Sequence, residues 1–305
     1  MRSSVAGKVV LVTGAARGIG EGLARELAAR GARLSLVGLE PERLAALAGE
    51  LGPGHAWFEA DVRDQPSLDA AVAGTVRELG GIDVVVANAG IANNGTVAVT
   101  PVEAQVRVID VNMAGVIRTV SATLPHVTER RGYYLLLSSA AAVAAMPGLA
   151  AYAASKAGVE FFGNALRLEL AHRGVGVGLA HPAWIDTDLV RDQQRDLDAF
   201  NRMLRSLPGP FGTVTPLRDC VEALADAIER RRRKVFVPRS IGAFAAFRQL
   251  LASPLAEKGI AKRAAVILPR LEREVQALGR SFGEHSMGFK AQPEVGATPM
   301  GSAGN

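Results

Sequence analysis

Residues 132–155 read GYYLLLSSAAAVAAMPGLAAYAAS, with Lys156 immediately after them. The run carries no charged residue, so a hydropathy window marks it first. Two folds are open to it. A membrane-spanning helix needs about 20 predominantly apolar residues without breaks. Here Gly132, the Ser138-Ser139 pair and Pro147-Gly148 interrupt the run, and Ala dominates where a span favours Leu. The apolar residues instead divide into a strand over 133–137, a loop of small residues over 140–149 and a helix opening at Ala151. Read so, the chain is α/β, and Ser139, Tyr152 and Lys156 fall within one strand–loop–helix unit.

The flanking sequence repeats that alternation. Short apolar, β-branched runs predict strands at 8–13, 33–39, 56–60, 82–87, 175–180 and 235–237. Helical patterns stand between them at 22–30, 41–51, 66–79, 101–128, 151–173 and 220–233. The segment 188–207 is charged and helical in pattern, and 208–212 reads as a loop. Close alternation of this kind predicts a doubly wound parallel sheet covered by helices on both faces, a three-layer α/β/α arrangement whose ligand lies beyond the strand C-termini. Amphipathic helices at 241–251 and 256–278 then add a C-terminal helical extension. The expected organisation is one catalytic domain over 1–240, the extension over 241–280, and a disordered tail over 281–305, where Gly, Pro and Ser prevail.

With 49% hydrophobic and 21% charged residues the composition is that of a globular domain, and with 5% aromatics its core must be built from Ala, Val and Leu. A lone Cys220 excludes an internal disulfide, and the five His are scattered without ligand spacing, so no metal is expected. No apolar leader precedes the first strand, which predicts a cytoplasmic protein. The formal charge is +5 and the pI about 9.7. Much of the excess sits in the basic run 230–234, placed at a helix end where cations suit the helix dipole. No aromatic residues interleave with it, so nucleic acid is not an expected partner.

Three features carry chemistry. Gly14-Ala15-Ala16-Arg17-Gly18-Ile19-Gly20 lies between a strand and a helix, where backbone N–H groups and a helix N-terminus converge on a pyrophosphate. Its Gly-x-x-x-Gly-x-Gly spacing differs from the Gly-x-Gly-x-x-Gly fingerprint. Tyr152 and Lys156, four apart in a helix, share a face. An ammonium there is expected to lower the phenol from its usual ~10, making Tyr152 a general acid/base. Ser139, at the preceding strand end, can donate a hydrogen bond to a developing oxyanion.

In this order, Thr13 to Gly20, Asp61-Val62, Asn88-Ala89-Gly90, Asn112, Ser139 and Tyr152-Ala-Ala-Ser-Lys156 resemble the short-chain dehydrogenase/reductase family, in its compact single-domain branch, over roughly residues 6–240. The resemblance implies a Rossmann fold and NAD(P)-dependent interconversion of a secondary alcohol and a ketone. It implies that Tyr152 exchanges the proton with the substrate oxygen, Lys156 binds the nicotinamide ribose, Ser139 polarises the carbonyl and Asn112 holds a water in the proton relay. Ser138 is read as structural. Cofactor contacts are implied for Gly14, Ala16, Arg17, Gly18, Ile19 and Gly20 at the pyrophosphate, and Leu39 at the second-strand end. Asp61 and Val62 would flank adenine, with Asn88, Ala89 and Gly90 along the fourth-strand end. Tyr152, Lys156, Pro182, Ile185 and Thr187 complete the set. NADP is favoured because Arg17 precedes the second motif glycine. NAD is the alternative, since Glu40 lies about 20 residues past the glycines, where an acid binds ribose hydroxyls.

After the sixth strand this chain has His181-Pro182-Ala183-Trp184 where the family commonly has Pro-Gly, and Trp184 either walls the pocket or packs under the following loop. Residues 183–215 are expected to set specificity, and Leu189, Phe200, Met203, Leu204 and Phe211 there suggest a fairly apolar substrate. Two rivals stand beside an enzyme: a catalytically silent NAD(P)-binding sensor or scaffold, and a peripheral membrane protein. The second would dock Ile241, Phe244, Phe247, Leu250 and Leu251 on lipid beside Arg239 and Arg248, although packing against the domain or a partner subunit is the favoured use of that face. The resemblance also implies a homodimer or homotetramer built on the helices around 101–128 and 152–172, where Phe161 and Phe162 supply apolar surface.

Overall fold

The computed structural model describes residues 4–144, 146–207, 209–248 and 253–287. Nine strands are found among them: β1 Val9–Thr13, β2 Arg33–Gly38, β3 Ala56–Glu59, β4 Val84–Ala87, β5 Tyr133–Leu137, β6 Gly176–Pro182, β7 Trp184–Ile185, β8 Val214–Thr215 and β9 Lys234–Val237. Seven form one parallel sheet in the order β3-β2-β1-β4-β5-β6-β9, and β7 pairs with β8 outside it. Val10 of β1 pairs with Leu34 on one side and Val84 on the other. The chain therefore winds outward to β3, returns past β1 and winds the other way, and this reversal opens a crevice at the C-terminal ends of β1 and β4.

β1, β4 and β5 are buried at every position, as unbroken apolar strands are when helices cover both faces. On one face Leu23 and Leu27 of α1 (Gly18–Ala29), Leu44 of α2 (Pro41–Leu51) and Leu224 of the helix Leu217–Glu229 form the core with β1 and β2. On the other face are Leu68 of α3 (Gln65–Leu79) and the layer α4 (Val102–Ile109), α5 (Gly115–Glu129) and α6 (Ala150–Leu170). Val120 and Leu166 of that layer pack on Val85 and Leu136. Full burial of each such side chain contributes roughly 1.5–3 kcal/mol. The doubly wound sheet expected from the sequence is present.

The remaining differences have local causes. α1 starts four residues earlier than its apolar pattern, because the glycine turn itself forms the first helical turn. The helix expected over 220–233 runs instead from Leu217 to Glu229. Arg231 then takes φ +47° and its guanidinium donates to the carbonyls of Arg131, Gly132 and Gly174. The basic run thus includes an internal stitch between loops. Residues 188–207 form two helices, α7 (Asp188–Asp196) and α8 (Asp198–Ser206). Leu197 between them is extended and buried. A 3-10 turn at Gly209–Gly212 replaces part of the expected loop.

The extension contributes a short helix Ile241–Ala246 and a long one, Pro254–Leu278. The expected lipid-facing residues divide: Ile241 is fully buried and Phe247 is exposed. Phe244 packs edge-on against Phe211, and Leu250 and Leu251 lie outside the described residues. The expected disordered tail requires correction over its first seven residues. Ser281 accepts a hydrogen bond from the Asn94 N–H at 2.7 Å, Asn93 bridges to Phe282, and Phe282 is buried against Ile91 and Val108. A short helix Glu284–Met287 follows, and residues 288–305 lie outside the described residues. No helix among the described residues is long and apolar enough to cross a membrane.

Candidate active site

The glycine turn is closed by steric necessity. Gly14 has φ +65°, and a Cβ on Gly20 would lie 2.2 Å from the Gly14 carbonyl oxygen. Larger residues would push the turn open. Asn88 at the end of β4 ties it down, its Nδ2 donating to the Thr13 and Gly14 carbonyls at 3.0 and 3.1 Å. No side chain caps the start of α1, so its leading N–H groups present partial positive charge to an anion in the crevice.

A cavity of about 210 Å³ runs from this turn to the α6 helix. It is lined by Gly14, Ala16, Arg17, Gly18, Ile19, Leu39, Asp61, Val62, Asn88, Ala89, Gly90, Tyr152, Lys156, Pro182 and Thr187. Two expected cofactor residues stand back from it: Gly20 is buried beneath the turn, and Ile185 packs in the core beside β1 and β6. Several lining residues carried no motif, among them Arg63, Ile91, Val111, His285 and Ser286. Ile91 follows Gly90 and was reachable by continuing that segment. His285 and Ser286 arrive from the far end of the chain, without a local signal.

Charges line the cavity on one side. Arg17 is gripped by Glu40, its Nε lying 2.7 and 2.8 Å from the two carboxylate oxygens, with Asp188 at 3.8 Å. Burial alone would raise the Asp61 carboxyl, but hydrogen bonds and charge from Arg63 hold it below its ordinary range.

At the other end the three catalytic candidates meet. Lys156 is buried, and its Nζ donates to the Leu137 carbonyl at 2.9 Å. Burial lowers its pKa to about 8. Nζ stands 5.7 Å from the Tyr152 ring centre. Burial raises the Tyr152 phenol above its ordinary value, and a hydrogen bond with Ser139 offsets part of that. This departs from the expected lowering by Lys156: in the protein alone, loss of hydration outweighs the distant ammonium. Ser139 Oγ donates to the Pro182 carbonyl at 3.3 Å and accepts from Ala141 N–H at 3.1 Å. Ser138 Oγ donates to the Lys156 carbonyl at 2.8 Å, a structural role as expected.

Asn112 is fully buried in a π-helical turn, Asp110–Ala114, a distortion frequent at functional sites. Its Oδ1 accepts from Ile91 N–H at 2.8 Å, and its Nδ2 donates to the Ile91 carbonyl and Ser155 Oγ at 2.9 and 3.1 Å. It is a strut between the β4 end and α6.

Tyr152 lines a second, small pocket as well, with Ser139, Ala141, Trp184, Leu189 and Val190. Trp184 does both things considered for it: it walls this pocket and packs edge-on against Phe200, its indole N–H donating to the Phe211 carbonyl at 2.7 Å. Among the described residues no group of acidic, His or Cys side chains could hold a metal. The fold and cleft define a doubly wound α/β protein with an anion-binding glycine turn at its topological switch point.

Comparison with known proteins gives the family. The sequence pattern described as short chain dehydrogenase matches residues 8–198. A 2,3-dihydro-2,3-dihydroxybenzoate dehydrogenase of Bacillus subtilis is 32% identical over 73% of this chain and 88% of its own length. The oxidoreductase UcpA of Salmonella typhimurium is 38% identical over 73% of this chain and 84% of its own. Among solved structures, a short chain dehydrogenase/reductase from Burkholderia phymatum in complex with NAD superposes with a TM-score of 0.72 at 22% identity, covering 82% of this chain and 95% of that one. An alcohol dehydrogenase from Thermococcus sibiricus, complexed with 5-hydroxy-NADP, gives 0.65 at 24% identity, covering 75% and 95%. This chain belongs to the short-chain dehydrogenase/reductase family of oxidoreductases.

Proposed function

We propose that this protein interconverts a secondary alcohol and a ketone with NAD(P), using Tyr152 as the general acid/base. The observation that carries the proposal is the position of Tyr152, which lines both the long cavity leading from the glycine turn and the small pocket holding Ser139. The glycine cradle and the uncapped start of α1 fit a pyrophosphate, and Asp61, Val62, Leu39 and Asn88 fit the nucleoside beyond it. A bound nicotinamide supplies the hydride donor or acceptor. In reduction, Tyr152 delivers the proton to the substrate oxygen while Ser139 donates a hydrogen bond to the same atom; in oxidation Tyr152 removes the proton. Lys156, the buried cation nearest the phenol, holds the cofactor ribose and favours the anion that Tyr152 becomes after donation. Asn112 keeps the β4 end in register with α6.

Arg17 favours NADP and Glu40 favours NAD, and NADP remains the proposed cofactor. The lining of the pocket by Trp184, Leu189 and Val190 supports a fairly apolar substrate. Exposed Phe161 and Leu168 on α6 support a homo-oligomer.

The test follows oxidation of NADPH and NADH over a panel of ketones, with Tyr152→Phe beside the wild type. Loss of a positioned acid should lower kcat roughly 100-fold or more. Equal rates in the two proteins would remove Tyr152 from the mechanism, and cofactor binding without turnover of any ketone would point to a sensor.

A further inference from the structure

Beyond the Ser139–Tyr152 pocket lies another cavity, of about 270 Å³, close to the ~300 Å³ lower bound of typical small-molecule sites. One wall is Phe200 and Met203 of α8 with Phe211; the other is Ile260, Ala264 and Ile267 of the long C-terminal helix. The two cavities adjoin, because Ala140, Met146, Leu149, Gln193 and Phe211 line both. Among the described residues lining the larger cavity, Arg263 is the one charged residue, and it is exposed, with its guanidinium donating to the Ser206 carbonyl at 3.3 Å. The lining is mostly apolar, with Asn93, Asn94, Gln193 and Ser206 as its uncharged polar members, so a charged group would lose most of its water on entry while a hydrocarbon chain would not. The helix Pro254–Leu278 lies past residues 8–198, which carry the family pattern. Phe200, Met203 and Phe211 lie past it too, so both of these walls are built by the part of the chain outside that pattern.

We propose that the cavity is a hydrocarbon subsite, and that the substrates are neutral ketones and alcohols whose apolar portion extends from Tyr152, past Phe211, to the C-terminal helix. The proposal rests on the ketone–alcohol reaction above and adds the substrate class. A tail entering the cavity meets side chains along its length, so binding should strengthen with each methylene until the space is filled.

The experiment uses the full-length protein and straight-chain methyl ketones from butanone to dodecan-2-one, at saturating cofactor. The expected kcat/KM rises by up to about fourfold per methylene through the middle of the series, the factor corresponding to ~0.8 kcal/mol per buried CH₂, and then levels off. Ala264→Phe places a ring in the cavity from a half-buried helix position. It should lower kcat/KM for dodecan-2-one about tenfold or more while leaving butanone within about twofold, since only the tail contacts are lost. Dodecan-2-one alone should raise the melting temperature of the wild type and not of Ala264→Phe, and Ile260→Ser, which keeps the cavity open but less apolar, should weaken both readouts. A flat chain-length profile in an active enzyme, or equal losses on short and long ketones in Ala264→Phe, overturns the subsite and leaves the reaction standing. Binding of dodecan-2-one that depends on Ala264, with no turnover of any ketone, keeps the subsite and overturns the reaction.

Discussion

Arg17 and Glu40 hold each other at the edge of the cavity, and we propose that this pair sets the preference between NADP and NAD. While Glu40 clamps Arg17, part of the guanidinium's charge is already matched, and the 2′-phosphate of the proposed NADP must compete with that carboxylate. Glu40→Ala removes the anion and releases the cation. Because a hydrogen bond to a charged group is worth about 1.5–3 kcal/mol, the ratio of kcat/KM for NADPH over NADH should rise about tenfold or more; Arg17→Ala should lower it. Steady-state kinetics with both cofactors checks this, and an unchanged ratio in both variants would place the selection elsewhere. A second residue, Glu160, governs stability. It is buried beneath β6, with Lys234 Nζ at 2.8 Å, Arg248 at 3.5 Å and His181 Nε2 at 3.6 Å. His181 and Lys234 hold its pKa at about 2, against the burial that would raise it. A depressed carboxylate stabilises the fold fully above its unfolded pKa, and that contribution is lost as pH falls from about 4.5 toward 2. Glu160→Gln should therefore cost about 2 kcal/mol at pH 7, allowing for water around Lys234 and Arg248, and progressively less below pH 4. Denaturant melts at pH 7 and pH 3 test the sign: a constant difference would mean that charge is not the cause.

A buried acid helps to hold the segment that follows the long C-terminal helix over the cleft. Asp192 of α7 accepts from the His285 N–H at 3.0 Å and meets its Nδ1 at 2.9 Å, while Arg280 pairs with Asp196. His285 and Ser286 thereby join the wall of the long cavity. Asp192→Asn leaves the shape and removes the charge. Loss of charge-assisted hydrogen bonds should lower stability by about 1–3 kcal/mol. Amide exchange over 281–287 should speed up about tenfold or more, while the β-sheet amides keep their relative order of protection. Uniform exchange across the chain, or no change at 281–287, would show that Asp192 does not hold the segment. This element also marks how far the sequence could be read. Strands such as Tyr133–Leu137 were legible because burial on both faces leaves an unbroken apolar run, and the glycine turn because steric limits fix its residues. The Tyr152–Lys156 spacing was legible because four residues return to the same helix face. Segment 281–287 was not, because its Gly and Ser content is that of a free tail, and Asp192 and Ile91 hold it from far along the chain. The raised Tyr152 pKa was also out of reach, since spacing reports neighbours and not hydration.

At the scale of the molecule, one helical layer carries several large exposed apolar side chains. α4, α5 and α6 cover one face of the sheet, yet Val106, Ile117, Phe161 and Leu168 on that layer are 59%, 40%, 68% and 75% exposed. Single exposed apolar residues are ordinary, but several large ones on one layer mark a surface for association. A second copy of this chain is the proposed occupant. α6 also carries Tyr152 and Lys156 on its inner side, so a partner packed on its outer side would stiffen the helix that positions the acid. A stable interface needs roughly 800 Å² from each partner, with its apolar anchors near the centre. Leu168→Arg puts a charge at such an anchor. In an isolated chain the position is largely in water, so the substitution should change folding stability by only about 0.5 kcal/mol. In an oligomer the same charge would be desolvated at the contact, which costs several kcal/mol and should drive the protein to monomer. Light scattering coupled to gel filtration, run at several concentrations, distinguishes the cases. Wild type at two or four times the chain mass and Leu168→Arg at the chain mass, with an intact circular dichroism spectrum, is the expected outcome. A wild type that stays monomeric at high concentration, or a variant that remains assembled, would remove this face from the proposed interface.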